Sequence, residues 1–357
     1  MEVSDKKEIA IGADHAGFEL KENIKKSLEE YGYKVIDFGA HSADSVDYPL
    51  IAKEVATHVA NKNPNKGILV CGTGIGMSIA ANKVKGIIAA LCNDVETAEL
   101  ARKHNNSNIL TLGGRTTDPK VAKEIVKKKV LITGGAGFIG SSVKSALIKS
   151  DYEILTVGRS EKEDFKIDLQ DEKLKKIIND FFPDVVCHFA SGSNIQRASE
   201  NKEKEFKDTV TSTLNLINCL KEKPVKIIYL SSQSVYGLPE YLPVTESHPT
   251  KPITVYGKNK LKAEELIIQS KLNYVIFRVS SVFGSEQDYS KSGVIANFIN
   301  KIKNNQSPRV FNTFDLFCDL IYVNDVTSAI VKAIDKENIT KEILIWVQVK
   351  PQHLESS

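Results

Sequence analysis

Residues 129–140 read KVLITGGAGFIG, and the fold turns on this stretch. Residues 130–133 form an apolar run of strand length, Gly134, Gly135, Gly137 and Gly140 follow at once, and apolar residues return as a helix over 138–148. Strand, glycine turn and helix N-terminus together make a site for a pyrophosphate. The glycines let backbone approach the ligand, and the first helical turn offers free N–H groups and the positive end of its dipole. Glycines alone can mark a structural turn, but with a strand before and a helix after they predict dinucleotide binding. The address is unusual: a domain's length of chain precedes the motif, which predicts two domains, 1–128 and 129–357.

Working back towards the N-terminus, the same alternation recurs. Residues 8–12, 35–38, 67–71, 87–91 and 109–112 read as strands, with helices after residue 17, over 49–60, after residue 77 and over 119–128. The run GILVC at 67–71 is apolar throughout, as in a parallel sheet covered on both faces. Forward of the motif, strands are expected at 153–157, 185–190, 226–232 and 274–279. The fold class is therefore α/β: two doubly wound, Rossmann-like parallel-sheet domains in tandem, with ligands outside the carboxyl ends of the strands.

The bulk composition narrows the functions. The chain has 357 residues, 41% hydrophobic and 26% charged, with a net charge of +3. That is a soluble globular balance, too weakly basic to argue for nucleic acid or an anionic membrane. No signal peptide or membrane-length apolar run is visible, and five cysteines without paired spacing point to a reducing cytoplasm, with no disulfide framework or metal site.

Five separated motifs in residues 8–127, GADHAGFELK, DYP, ILVCGTGIGMSIAANK, ARKHNNSN and LGGR, resemble the ribose-5-phosphate isomerase B and galactose-6-phosphate isomerase family. The resemblance implies aldose–ketose interconversion of a sugar phosphate without a cofactor. Cys71 would remove the proton beside the carbonyl. Thr73 and the N–H groups of Gly72, Gly74 and Gly76 would hold the developing oxygen charge. His104 would open the sugar ring with Asn105 beside it, Asp14 would bind hydroxyls and His15 the phosphate. The residue types suit that chemistry, since a weakly acidic proton needs a positioned base and donors aimed at the new oxyanion. A cysteine is ordinarily a small buried hydrophobe; the GTGIG that follows Cys71 is what argues for more. The family's C-terminal arginines, which clamp phosphate and often do so across a dimer interface, have no counterpart before residue 129. No Gly-, Ser- or Pro-rich linker separates the two halves.

In residues 129–335 the motifs GGAGFIG, CHFAS, LSSQSVYG, VYGKNK and IYVNDV resemble the extended short-chain dehydrogenase/reductase family, in its NAD-dependent epimerase/dehydratase branch. The resemblance implies epimerisation, dehydration or reduction of a nucleotide sugar, with Ser232, Tyr256 and Lys260 as the catalytic group. Tyr256 and Lys260 are four apart on a predicted helix and share a face. An ammonium there is expected to bring the phenol towards neutral pH. Gly134, Gly137, Gly140, Arg159, Asp168 and Leu169 would hold the cofactor together with Tyr256 and Lys260. The strand at 153–157 ends in Gly158-Arg159-Ser160, without the acid that ordinarily accepts the ribose hydroxyls of NAD, so NADP is expected ahead of NAD.

The second half also departs from the family pattern. Thr209 and Ser281 replace asparagines, Cys318 replaces an arginine, and Asp319 is retained. The tail 343–357, ILIWVQVKPQHLESS, reads as a truncated or frame-shifted end in place of a substrate lobe. The primary expectation is a bifunctional cytoplasmic carbohydrate enzyme, a homodimer or higher homo-oligomer. It would act on sugar phosphates and nucleotide sugars, without nucleic-acid or membrane partners. The alternative is that only one domain is active, or that the fusion binds NADP and oligomerises without turnover.

Overall fold

A computed structural model describes residues 8–31, 33–61, 66–150, 152–192, 195–221, 223, 225–285, 287, 294–308, 319–336 and 339–346. Cys318 and residues 347–357 lie outside this set. The chain divides into two compact units, Met1–Lys127 with Asp335–Asn338, and Lys128–Ile334 with Ile339–Ser357.

Unit 1 alternates β1 (Glu8–Ala13), α1 (Phe18–Glu30), β2 (Lys34–Asp37), α2 (Tyr48–Asn61), β3 (Lys66–Cys71), α3 (Ile75–Ala81), β4 (Ala89–Leu91), α4 (Val95–Asn105), β5 (Ile109–Gly113) and α5 (Pro119–Ile125). Its strands form one parallel sheet in the order β2-β1-β3-β5-β4. Ala52, Val55, Leu69 and Met77 pack in one core cluster, and Ile24, Val70, Leu112 and Ala122 in another. The adjacent β3 residues Leu69 and Val70 fall in different clusters, as successive side chains must when both sheet faces are covered. Asp94 caps α4 by accepting from Thr97 N at 2.7 Å, and Asp118 caps α5 with Pro119 at its first position.

Unit 2 comprises β6 (Lys129–Thr133), α6 (Phe138–Ile148), β7 (Glu153–Gly158), β8 (Phe165–Lys166), α7 (Lys173–Phe181), β9 (Val185–His188), α8 (Ile195–Glu200), α9 (Lys202–Phe206), α10 (Ser212–Leu220), β10 (Lys226–Ser232), α11 (Val255–Gln269), β11 (Asn273–Val279), β12 (Ser281–Phe283), α12 (Val294–Lys303), β13 (Leu320–Tyr322), α13 (Val323–Asp335) and β14 (Glu342–Trp346). Seven of its described strands form a parallel sheet in the order β14-β11-β10-β9-β6-β7-β8. The order reverses direction at β6, the strand that feeds the glycine turn, and such a switch point opens a crevice at the strand ends.

Two expectations shift. The helix foreseen over 119–128 stops at Ile125, because Lys128 is already buried in unit 2, its Nζ donating to Ile334 O at 2.7 Å. Lys226 does the same to Ala333 O at 3.0 Å. Two buried ammoniums thus satisfy carbonyls at the C-terminus of α13, where cations suit the helix dipole. And residues 342–346, read as part of a damaged tail, pair along β11 as an edge strand, Ile343 facing the core.

Candidate active sites

In unit 1, β1, β3 and β5 end at one edge, and their register puts Ala13 opposite Val70 and Cys71 opposite Gly113. The loops beyond are stitched by backbone: Asp14 N donates to Val70 O, Gly114 N to Cys71 O and Arg115 N to Gly72 O. Asp14 is buried, and its Oδ1 accepts from Ala16 N and Gly17 N, each at 2.9 Å. Cys71 is buried, and its Sγ accepts from Gly74 N at 3.2 Å. That N–H, expected to face a sugar oxygen, is instead turned onto the sulfur. Gly74 has φ +76°, and a Cβ there would lie 2.4 Å from Leu91 Cδ1, so both strain and space require glycine.

Thr73 and His15 are exposed, and Gly72 and Gly76 are half-buried. Asp14, His15 and the 71–76 loop are therefore gathered at one edge. His104 and Asn105 stand exposed in the last turn of α4. Among the described residues no hydrogen bond or ion pair joins them to Cys71 or its loop. Two neighbours went unassigned in the sequence. The Arg115 guanidinium lies 3.8 Å from where a Gly72 Cβ would stand, and the Tyr48 ring crowds the corresponding point on Gly76 at 2.8 Å. The LGGR and DYP motifs carried those residues without roles.

In unit 2 the glycine turn is tightly built. Gly134 has φ +74°, with the backbone of Ala190 2.8 Å from its Cβ position, and a Cβ on Gly140 would fall 2.2 Å from Gly134 O. Gly137 caps α6. At Gly134 and Gly140 a side chain would strike backbone, so glycine lets the turn close tightly onto the N-terminus of an eleven-residue helix.

The catalytic candidates converge. Ser232 ends β10. Thr254 caps α11 by accepting from Gly257 N at 3.0 Å, and Gly257 lets the helix close on the loop after β10: a Cβ there would lie 2.5 Å from Ser234 O. Tyr256, in the first turn of α11, is thereby brought to Ser232, whose Oγ donates to Ser234 Oγ at 3.1 Å. One turn on, Lys260 is buried, and its Nζ donates to Ser191 Oγ and Leu230 O, each at 2.7 Å, with the Tyr256 ring centroid 5.8 Å away.

The expected near-neutral phenol is not what the structure gives. Burial pushes Tyr256 up to about 12 against the opposing influence of nearby Ser232, and burial draws Lys260 down to about 8 against the charges of Glu205 and Glu264. Desolvation disfavours both charged forms at once and outweighs their attraction.

Below this group His188 is buried between Thr133 Oγ1 at 2.7 Å and Thr213 Oγ1 at 2.9 Å, and burial lowers it to about 3, so it is a neutral structural link. Thr209, in a π-helical turn over Lys207–Thr211, accepts from Gly192 N and donates to Glu205 Oε1. Burial pushes the Glu205 carboxyl up. Tyr236 accepts from Arg278 Nη1 at 2.9 Å and braces the loop.

The expected cofactor contacts divide. Leu169 is buried beside half-buried Asp168. Arg159 does not stand open for a phosphate. Its guanidinium donates to Asp208 Oδ1 and Oδ2 at 2.8 and 3.1 Å, and Asp168 lies 3.8 Å away. A further carboxylate that the sequence did not single out, Glu163, lies against the glycine turn. Its Oε1 accepts from Ala136 N at 2.8 Å, and its buried Oε2 has no hydrogen-bond partner among the described residues.

A glycine cradle at a switch point with a Ser–Tyr–Lys group beside it defines a nucleotide-dependent α/β enzyme. The chain belongs to the NAD dependent epimerase/dehydratase family, whose sequence model matches residues 130–345, and through residues 9–130 to the ribose/galactose isomerase family. Unit 2 is similar to a Methanocaldococcus jannaschii protein provisionally assigned as a UDP-glucose 4-epimerase. The two are 37% identical over 58% of this chain and 74% of the relative. Unit 1 is similar to ribose-5-phosphate isomerase B of Escherichia coli, 48% identical over 34% of this chain and 80% of that protein. Among solved structures, the UDP-N-acetylglucosamine 4-epimerase of Methanobrevibacter ruminantium, in complex with UDP-N-acetylmuramic acid, covers 63% of this chain and 78% of its own at 27% identity and a TM-score of 0.59. No helix among the described residues is long and apolar enough to cross a membrane.

Proposed function

We propose that the chain is two cytoplasmic carbohydrate enzymes divided at residues 128 and 129. The first isomerises a sugar phosphate of the ribose-5-phosphate type, and the second epimerises a UDP-linked hexose with a nicotinamide dinucleotide. The observation that carries the reading is the convergence of Ser232 at the end of β10, Tyr256 in the first turn of α11 and the buried Lys260 ammonium 5.8 Å from the Tyr256 ring centroid. The named activities of the relatives of each unit support it. The residues also fit the dinucleotide: glycines at 134 and 140, where a Cβ would strike backbone, let the turn close on the N-terminus of α6, Gly137 leaves its cap nearly open, and Glu163 Oε2 is a buried acceptor awaiting a donor.

When bound, the cofactor supplies reversible hydride acceptance. Tyr256 takes and returns the proton of the sugar hydroxyl, Ser232 orients that oxygen, and Lys260, fixed by Ser191 and Leu230 O, holds a proton close to the phenol. Gly134, Gly137 and Gly140 shape the diphosphate site, and Asp168 and Leu169 flank the adenine end.

In unit 1, Cys71 removes the proton beside the carbonyl. The N–H groups of Gly72 and Gly76 and the Thr73 hydroxyl hold the oxygen charge that develops. Asp14 binds sugar hydroxyls, and His15 and Arg115 bind the phosphate. His104 opens the ring with Asn105, delivered by a second copy of the chain. Exposed Leu50, Ile75, Ile79 and Leu100 give unit 1 apolar surface suited to such an assembly.

The test is a crossed pair of variants assayed with ribose 5-phosphate and UDP-glucose by NMR. Cys71→Ala should lower the isomerase rate by about 10³-fold and leave epimerisation alone, and Tyr256→Phe the reverse. An unchanged isomerase rate in Cys71→Ala overturns the reading of unit 1. An unchanged epimerase rate in Tyr256→Phe overturns that of unit 2.

A further inference from the structure

We propose that Glu163, reaching in from the turn after β7, accepts the adenosine ribose hydroxyls of the cofactor and makes unit 2 select NAD over NADP. The inference rests on the reading of unit 2 as a dinucleotide-binding enzyme. It assigns a role that the strand end leaves vacant, since β7 finishes in Gly158-Arg159-Ser160 without an acid.

Three observations converge on Glu163. The first is placement. Its Oε1 is 2.9 Å from the point where a Gly158 Cβ would stand and accepts from Ala136 N inside the glycine turn, while its Oε2 is 3.0 Å from the Cβ position of Gly135. The carboxylate therefore bridges the end of β7 and the turn after β6, and the glycines at 135 and 158 make room for it.

The second is rigidity. The neighbouring Asp164 pins this turn to β7 by accepting from Thr156 N and Thr156 Oγ1, both at 2.8 Å, while Asp164 N donates to Thr156 Oγ1 at 3.0 Å. Glu163 N donates to Ser160 O and Ile167 N to Gly158 O. A side chain carried on a turn so tied is held where it stands.

The third is the unfilled valence. Glu163 is 9% exposed, one oxygen is satisfied, and the other is buried without a hydrogen-bond partner among the described residues. A buried carboxylate oxygen left unpaired is costly, and a ligand hydroxyl arriving there removes the cost. A ribose diol is such a donor. A 2′-phosphate is not: it brings acceptors and negative charge against a carboxylate.

The charges nearby agree. Arg159, the cation that would welcome a phosphate, faces two carboxylates, Asp208 in a bidentate pair and Asp168 at 3.8 Å. Lys144 lies 3.8 Å from Asp164. Arg159 is thus already matched by two carboxylates, and a 2′-phosphate would have to displace them to reach it.

The test is equilibrium binding by the full chain, read by NADH and NADPH fluorescence without any sugar substrate. The unaltered protein should bind NADH at least about tenfold tighter than NADPH. In Glu163→Gln, which keeps the acceptor for Ala136 N and removes the charge, the preference should fall to within about threefold, through weaker NADH binding, tighter NADPH binding or both. NAD lacking the 2′-hydroxyl should bind the unaltered chain about tenfold more weakly than NAD, a comparison that stands if Glu163→Gln fails to fold. Equal binding of NADH and NADPH, or an unchanged ratio in folded Glu163→Gln, overturns the assignment while leaving dinucleotide binding intact. Absence of binding by either nucleotide overturns the parent reading and this inference with it.

Discussion

The two units share a sheet architecture and differ in how their sites are held. In unit 1 the reactive side chains sit at the rim: His15, Thr73, His104 and Asn105 are exposed, and only Asp14 and Cys71 are buried. In unit 2 Ser232 and Tyr256 are half-buried, and the groups beneath them are sunk into the fold: Lys260 at 3% exposure, His188 at 0% and Glu205 at 7%. Burial is what moves proton equilibria, and the Tyr256, Lys260, His188 and Glu205 shifts all have desolvation as their largest cause. A rim site is assembled by what docks on it, whereas a sunken site is set before the substrate arrives. Unit 1 should accordingly be governed by assembly and unit 2 by pH.

The sharpest way to break this contrast is acid. His188 is lowered to about 3 from an ordinary 6.5. The folded form then binds fewer protons than the unfolded form between those values, so the stability contributed is complete above 6.5 and is lost as pH falls towards 3. Unit 2 should lose on the order of 4 kcal/mol across that window. Hydrogen exchange in β6 and β10 follows unit 2, and hydrogen exchange in β1 and β3 follows unit 1. Equal acid sensitivity of the two units would erase the distinction.

A smaller effect probes the rim. Gly74→Ala forces a side chain into φ +76° and against Leu91, so it should destabilise unit 1 by about 2 kcal/mol. Isomerase activity should fall with it, because the donor on Cys71 moves, while the melting of unit 2 stays put. Calorimetry with separate transitions reads both.

Smallest is the pH course of epimerisation. The pair of half-buried Tyr256 and buried Lys260 sheds a proton near 8, the value to which Lys260 is drawn. The rate should climb up to about tenfold per pH unit below 8 and flatten above it. A profile from 6 to 9 without an inflection shows that the pair does not set the rate.

Much of this was legible in the residues. The glycines at 134, 137 and 140, the continuous strand at 67–71 and the spacing of Tyr256 and Lys260 are local patterns, and local geometry enforces them. What escaped depends on distance through space. Glu163 belongs to no motif; it matters because a turn pinned on Thr156 folds it back against residues 135 and 136. Arg159 looked free because Asp208, which claims it, is 49 positions away. The Tyr256 phenol was expected near neutrality because sequence shows the neighbouring ammonium and hides the water both groups lose. Residues 343–346 read as the start of a truncated or frame-shifted end, yet β11 offers an edge, an apolar run takes it, and the family model reaches residue 345.

The pair of lysines on the end of α13 bears on how the molecule is made. Lys128 opens unit 2, but its partner is Ile334, 206 residues later. A ribosome adding 5–20 residues per second needs about 10–40 s to supply that carbonyl. By then the five strands of unit 1 have long emerged, while Lys128 and Lys226 still wait for the carbonyls that bury them. The chain is therefore born with one unit closing early and the other held open until α13 arrives.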